Sequence, residues 1–365
     1  MENISKSRQS GIELLKILAI ILICISHAAQ TINSGFIPLA SQLDITVFIT
    51  AFCRLFGMIG NVIFVVCSAY FLIDSKRTKA EKIFNILLDV AFISTIFLIF
   101  YITLGKEQFT STEIVEFILL GFSKNWFIPC YLFMYAFFPL LNAALDKMNR
   151  ATNLLVVILF AILWGVLDNF ASYFFVNDVM AFFVLYFAVG YSKKYMSKLN
   201  DGKFALKTFL ILLSIFIVAF LGLYFVGLKV EFFSNHLLFF CKILNPFIFP
   251  MCIALIYVFK NFKFESKVIN YISSLSLFVY LIHENFLFRT ITRIEIYTSL
   301  FNINGSWGLL WLLVMSLIHI VGGIILAIIY KESLGRLAKI VANWIAKICK
   351  KVYLKFVALF SKVFD

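Results

Sequence analysis

Gly11 to Ala29 reads GIELLKILAIILICISHAA, a stretch apolar enough to lie in hydrocarbon that still carries an acid, a base and an imidazole. In a helix advancing about 100° per residue, Glu13, Lys16, Ile20, Ile23 and His27 form one stripe. Glu13 and Lys16 are i,i+3 neighbours and can pair. His27 lies three turns beyond Lys16, about 16 Å further along the axis. An ionisable side chain inside a bilayer costs several kcal/mol, so such residues mark functional sites by default. The alternative places Glu13 and Lys16 at the headgroups, with His27 bonded to a neighbouring helix.

Composition sets the class. Apolar residues make up 62% of the 365 and charged residues 14%, and the mean hydropathy is +0.99. A soluble domain carries about 25% charged residues, so this chain is expected to be a polytopic membrane protein. The net charge of +13 does not point to nucleic acid, because the Lys and Arg are spread over short loops between apolar runs. The first run has no small-residue cleavage site and is expected to be a retained span. The seven cysteines fall mostly within apolar segments without CxxC spacing, so they are expected to be small buried hydrophobes and not a disulfide or metal framework.

About ten runs are long enough to span roughly 30 Å of hydrocarbon. They lie near 12–32, 46–73, 83–104, 126–145, 153–172, 175–192, 205–227, 236–259, 270–288 and 307–330. With ten spans, one side collects Lys6 and Arg8, then Lys76, Arg77, Lys79 and Lys82, Lys147 and Arg150, the 193–207 lysines, and Lys260, Lys263 and Lys267. The other side holds only Lys106, Lys124, Lys229, Arg289 and Arg293. The positive-inside rule then makes both termini cytoplasmic. Beyond Tyr330 the texture changes. Arg336, Lys339, Lys347, Lys350, Lys351, Lys355 and Lys362 share an arc of about 160° on a helical wheel, opposite Val341, Ile345, Val352, Phe356 and Leu359. Residues 331–365 are therefore expected to be a basic amphipathic tail lying in an anionic membrane surface. The fold class is all-α, a polytopic membrane helix bundle over 1–330 with a C-terminal interfacial helix.

Several polar groups lie at depth. The second run heads inward from Asp44, so Arg54 falls about 15 Å below the outer surface, where a guanidinium needs an anion, carbonyls or water. Further in, Ser68 and Tyr70 offer hydroxyls, either to substrate or to helix packing. The ninth run puts His283 about 20 Å from its inner start, with Glu284 beside it and Arg289 near the outer edge. His27 sits about 22 Å in on a helix of the same direction, so the two histidines can face one cavity. His236 and His319 read as helix-contact histidines.

These residues carry a resemblance. Glu13-x-x-Lys16-x10-His27 is similar to the opening signature of the membrane acyltransferase 3 family. Arg54 to Phe71, RLFGMIGNVIFVVCSAYF, resembles its Arg followed by an SGY-like motif; Asn125 to Asn142, NWFIPCYLFMYAFFPLLN, resembles its WF…Y…P…LN span, and Ser273 to Arg289, SSLSLFVYLIHENFLFR, its late YLIH motif. The order matches over nearly the whole chain before the tail. Lys16 replaces the usual Arg, keeping charge without the bidentate fork, and Ala69 replaces the usual Gly.

The resemblance implies a bacterial cytoplasmic-membrane enzyme that moves an acyl group, typically acetyl, from acetyl-CoA or another acyl-CoA to a hydroxyl of a surface polysaccharide, lipid-linked sugar or related envelope acceptor. His27, Arg54 and His283 would be catalytic. Lys16, Lys76, Arg77, Ser68 and Tyr70 would hold the donor, and Glu13, Trp126, Tyr131, Glu284 and Arg289 would support the substrates. No metal is implied, and the partners would be acyl-CoA, a glycan or glycolipid, and membrane lipids. The absence of a fused extracytoplasmic hydrolase-like domain argues against the two-domain members. The chemistry of the residues agrees: a base of near-neutral pKa deprotonates a hydroxyl, and a fixed cation meets the charge growing on the thioester oxygen. The competing class is a transporter or flippase for lipid-linked saccharides, which would be expected to show inverted repeats and Gly/Pro-broken paired helices.

Overall fold

A computed structural model describes residues 9–35, 45–105, 109–119, 125–170, 176–234, 236–303 and 308–364. The regular elements are helical: α1 (Ser10–Gly35), α2 (Ile45–Leu72), α3 (Ala80–Thr103), α4 (Ser111–Leu119), α5 (Phe127–Lys147), α6 (Arg150–Gly165), α7 (Asp178–Tyr195), α8 (Gly202–Gly227), α9 (Glu231–Ser234), α10 (Ile248–Lys260), α11 (Lys267–Ser273), α12 (Ser276–His283), α13 (Arg293–Ile303), α14 (Gly308–Leu317), α15 (Gly323–Glu332) and α16 (Leu334–Phe364). Short π-helical turns, Phe288–Thr292 and Ile318–Gly322, join α12 to α13 and α14 to α15. The chain is an all-α polytopic membrane bundle.

Among the described residues, seven helices are long and apolar enough to cross a membrane, and eight if the bent pair Lys267–His283 and Phe288–Ser299 is one span. The expected ten runs differ from this at two places. The run 175–192 falls on α7, Asp178–Tyr195, whose ends carry Asp178, Lys193 and Lys194. In the run 236–259, helix is confined to the thirteen residues of α10, and 237–247 is turn and irregular backbone. Asn245 causes the break: its Oδ1 accepts the amide hydrogens of Phe247 (3.0 Å) and Ile248 (3.3 Å), and Pro246 follows it without an amide hydrogen to offer. Both helices are enclosed by the others, with most of α10 from Ile248 to Val258 buried. They therefore satisfy their backbones inside protein without needing a full hydrophobic length.

The bundle is organised around the α1–α2 pair. Gly60 permits the contact, because a Cβ there would lie 2.5 Å from the carbonyl oxygen of Ala19 on α1. Hydrogen bonds pin the N-terminal end of α1 to α11: Ser10 Oγ donates to Asn270 Oδ1 (3.0 Å), and Ser273 Oγ donates to Glu13 Oε2 (2.5 Å). On the opposite flank a carboxylate is held within the bundle, where Asp89 of α3 accepts from Tyr330 Oη (2.8 Å) and Asn85 Nδ2 (3.0 Å).

The tail is helical, as its periodicity predicts, but its faces are distributed differently. Ala338, Ala342 and Ala346 are fully or almost fully buried, and α16 packs on α3. Val341 and Ile345, expected on the membrane face, flank that seam half-buried. The exposed apolar stripe is Leu337, Ile340, Trp344, Ile348 and Val352, beside the basic arc of Arg336, Lys339, Lys347, Lys350 and Lys351. The side chains of Lys355, Phe356, Leu359 and Lys362 lie outside the described residues, as do Lys6, Arg8, Asp44, Lys106 and Lys124. Small residues allow the close packing, and the wheel, lacking a partner, assigned that face to lipid. Deleting the chain after Ser333 strips this cover from α3. The truncated protein is expected to accumulate to lower levels in membranes, by immunoblot, while turnover per molecule stays within about twofold of the full chain.

Candidate functional site

Two helices of the central pair bring their stranded polar groups to one void. His27 of α1 and Arg54 of α2 both line a cavity of about 450 Å³, together with Ser26, Gln30, Asn61, Trp126, Trp164, Asp178 and Lys242. That volume is in the usual range for a small-ligand pocket. Arg54 and Asn61 are seven residues apart, two turns of one helix, and so share a face. Among the described residues no carboxylate pairs with the Arg54 guanidinium, and Asn61 Oδ1 is buried without a partner. Polar groups left in this state inside a bundle are paired by whatever enters.

Behind His27 stands a buried network. Its Nδ1 lies 3.0 Å from His283 Nε2 and 3.0 Å from Glu284 Oε1. The protons follow from the chemistry of the partners. His283 Nδ1 is 2.6 Å from the carbonyl oxygen of Val279, which can only accept, so His283 carries its hydrogen on Nδ1 and its Nε2 is an acceptor. Nδ1 of His27 is therefore the donor, shared between His283 Nε2 and Glu284 Oε1. His27 Nε2 is left as an unprotonated nitrogen on a ring that lines the cavity, the form a general base requires.

Glu284 is charge-compensated from the other side. Arg293 donates to its Oε1 at 2.6 Å and also bonds the His283 carbonyl, and Arg289 reaches Oε2 at 3.4 Å. The local fold explains the convergence. Helix α12 ends at His283 and the chain turns by 64° before Phe288. Asn285 Oδ1 accepts the Leu287 amide hydrogen (3.1 Å), starting the new direction as a cap does. The turn folds Arg293, ten residues beyond His283, back onto it. Breaking a buried ion pair by removing one partner costs about 3–5 kcal/mol, so the network fixes the ring firmly.

The other sequence candidates fall into separate places. Trp126 is on the cavity wall; Tyr131, five residues on, instead accepts from Lys82 Nζ (2.8 Å). Glu13 and Lys16 pair at 3.1 Å at the opposite end of α1, away from the cavity, and Lys16 lies 5.8 Å from the Phe71 ring centroid. Lys76 and Arg77 are exposed on the α2–α3 connection. Ser68 is half-buried, and Tyr70 has Lys193 Nζ 4.4 Å and Lys260 Nζ 5.6 Å from its ring centroid. Sequence reasoning missed those two lysines, as it missed Arg293 and the Lys242–Asp168 pair (2.6 Å) beside the cavity. His319, expected as a plain helix contact, has its ring 5.8 Å from that of His283. All seven cysteines are free thiols.

His27, His283 and Glu284 place three ligand atoms within 4.8 Å of one another, a spacing that suits a cation. Arg293 occupies the carboxylate, and His283 Nδ1 is committed to a carbonyl. The donor set is thus already satisfied as a hydrogen-bond network.

A family model described as an acyltransferase domain matches residues 9–341. The chain belongs to the membrane acyltransferase 3 family. No curated protein and no solved structure matches it significantly. As a member of that family it is a multi-pass membrane acyltransferase. The four sequence motifs that resembled the acyltransferase 3 pattern supply His27, Arg54, Trp126, His283 and Glu284, which the structure gathers at the cavity or directly behind it.

One glycine sets the register of this acyltransferase site. A Cβ on Gly57 would lie 2.5 Å from Ser26 Oγ and 2.9 Å from Ser26 Cβ. Ser26 precedes His27 and donates to the carbonyl oxygen of Arg54 at 2.7 Å, so the same contact holds both cavity residues in register. Gly57→Ala is expected to lower acyl transfer about tenfold, at an overpacking cost of about 1–3 kcal/mol. Gly222→Ala is the control, because nothing lies within 4 Å of a Cβ there. Thermal unfolding in detergent and transfer rate, measured on both variants, check the pair.

Proposed function

We propose that the chain is an O-acyltransferase, with acetyl-CoA as its first-choice donor, acting on a hydroxyl of a cell-surface polysaccharide, lipid-linked sugar or related envelope acceptor in a bacterial cytoplasmic membrane. The single observation that carries the reading is the acceptor Nε2 of His27 on a cavity wall shared with the guanidinium of Arg54, which no carboxylate among the described residues pairs. In the proposed reaction Nε2 takes the acceptor hydroxyl proton as that oxygen attacks the thioester carbonyl carbon. Arg54 donates to the oxygen that becomes an oxyanion. The C–O bond forms, the C–S bond breaks, and the thiolate takes back the proton from Nε2, giving an ester and free coenzyme A. Trp126 and Trp164 offer flat apolar faces of the kind a sugar ring stacks on, beside the polar Gln30, Asn61 and Asp178. Lysines around Tyr70 (Lys193 and Lys260), with Lys16, Lys76 and Arg77, are candidates for the donor phosphates at the cytoplasmic end. With both termini cytoplasmic the cavity belongs to the outer half of the bundle, so the acyl group must cross between the helices.

The test uses purified full-length protein in detergent or vesicles, acetyl-CoA labelled in the acetyl group, and a cell-envelope fraction as acceptor. Label entering base-labile ester in that fraction, together with release of free thiol, supports the reading. Absence of both, with the protein folded, removes it.

A further inference from the structure

We infer that Arg293 is a positioning residue for the transfer, holding Glu284 and the His283 carbonyl so that His27 keeps its hydrogen on Nδ1 and presents Nε2 to the cavity. The inference rests on the acyl-transfer reading of His27 and adds to it a residue that neither the family motif nor the spacing of charges marks.

Three observations carry it. Arg293 is 2% exposed, yet among the described residues it lines no part of the cavity and donates only to the two acceptors that frame the histidine pair. One terminal nitrogen serves both acceptors, while Nε is buried with no hydrogen-bond partner among the described residues. A guanidinium placed for stability alone would satisfy its fork; one that leaves Nε orphaned bears a desolvation cost for the sake of where its other nitrogen points. Lastly, the groups facing His27 and His283 from the surrounding elements are Glu284, Arg289, Arg293, His319 and Cys24. Among the described residues Arg289 is the only other Arg or Lys on the carboxylate, and it is a weaker substitute, at 3.4 Å with its side chain 40% exposed. Without Arg293 the Glu284 oxygen facing His27 Nδ1 loses its short contact. The His283 carbonyl, which ends α12, also loses its donor, and both determinants of the His27 tautomer loosen together.

The experiment compares Arg293→Met, Arg293→Lys, Glu284→Gln and the Glu284→Gln/Arg293→Met double variant in the full-length protein. The first readout is transfer of labelled acetyl. Arg293→Met is expected to lower kcat at least about thirtyfold with the acetyl-CoA KM within about twofold, and Arg293→Lys to recover most of that loss. The double variant removes both charges of the pair; it is expected to fall within about threefold of Glu284→Gln, because Arg293 acts mainly through Glu284 and the lost donor to the His283 carbonyl accounts for the small remainder. A double variant more than about tenfold below Glu284→Gln would overturn the inference. So would full activity in Arg293→Met. The second readout needs no turnover: the rate at which diethyl pyrocarbonate modifies His27, mapped by mass spectrometry of the folded protein. It is expected to drop about tenfold in Arg293→Met and to be near wild type in Arg293→Lys. Unchanged labelling in Arg293→Met overturns the inference even if the wild type transfers no acetyl group, an outcome that by itself would remove only the proposed function.

Discussion

His27→Ala is expected to reduce acetyl transfer to background, a loss of about 10³-fold or more, while leaving protein abundance and topology unchanged. General-base catalysis accounts for about 10²–10⁴ in rate, and neither His283 nor Cys24, the nearest ionisable neighbours on α12 and α1, can take over. The Nδ1 of His283 is committed to the Val279 carbonyl, and its Nε2 is turned toward His27 and Cys24, not into the cavity. Cys24 is buried and lies 4.0 Å from His283 Nε2, also outside the cavity lining. The fold should tolerate the substitution, because Glu284 keeps Arg293 and Arg289 when the imidazole is gone. Transfer of labelled acetyl, normalised to immunoblot signal in membranes, makes the measurement. Wild-type turnover in His27→Ala would remove the base from this mechanism.

The legible and illegible parts of the site separate along a physical line. His27 and Arg54 could be found because each interrupts a long apolar helix, where the cost of a polar group is high and a bland explanation is scarce. His283 and Glu284 could be found because their motif is local in sequence. Arg293 could not. In a straight ninth span it falls just past the outer end, where a basic residue looks like an ordinary headgroup contact. Only the 64° turn after Glu284, with Asn285 restarting the helix, returns it to the bundle interior. Lys242 and Asp168 were hidden in a similar way. Lys242 sits in a stretch whose hydropathy imitates a helix until Asn245 and Pro246 stop it, and Asp168 sits in the short turn after α6. The tail shows the converse error, in which an alanine stripe at 338, 342 and 346 was too weakly hydrophobic to outweigh the larger residues around it on a helical wheel. Such a stripe is where two helices approach closely, and its signal is small size.

Arg54→Lys is expected to lower kcat about a hundredfold although the charge is kept, and Arg54→Ala about a thousandfold, in line with removing an oxyanion donor. The Arg54 side chain is half-buried on the cavity wall with no carboxylate among the described residues to neutralise it. Its backbone carbonyl is fixed by Ser26, the residue before His27, so base and cation are held in register by one hydrogen bond. A guanidinium presents a planar fork whose hydrogens can aim at one oxygen throughout the reaction; an ammonium is a compact, strongly hydrated point charge on a flexible stem. The fork matters only if the oxygen charge grows during the reaction, and that makes the kinetic split diagnostic. A fall in kcat with little change in acetyl-CoA KM places Arg54 at the developing oxyanion, because the lost interaction is then one made in the transition state. A rise in KM at constant kcat would instead make Arg54 an anchor for an anionic part of a substrate, and the oxyanion role would have to pass to another group on the same wall. Asn61 is the first to examine, since it lies two turns along the same helix face with a buried amide oxygen that has no partner among the described residues. Its companion Nδ2 is the donor such a role requires.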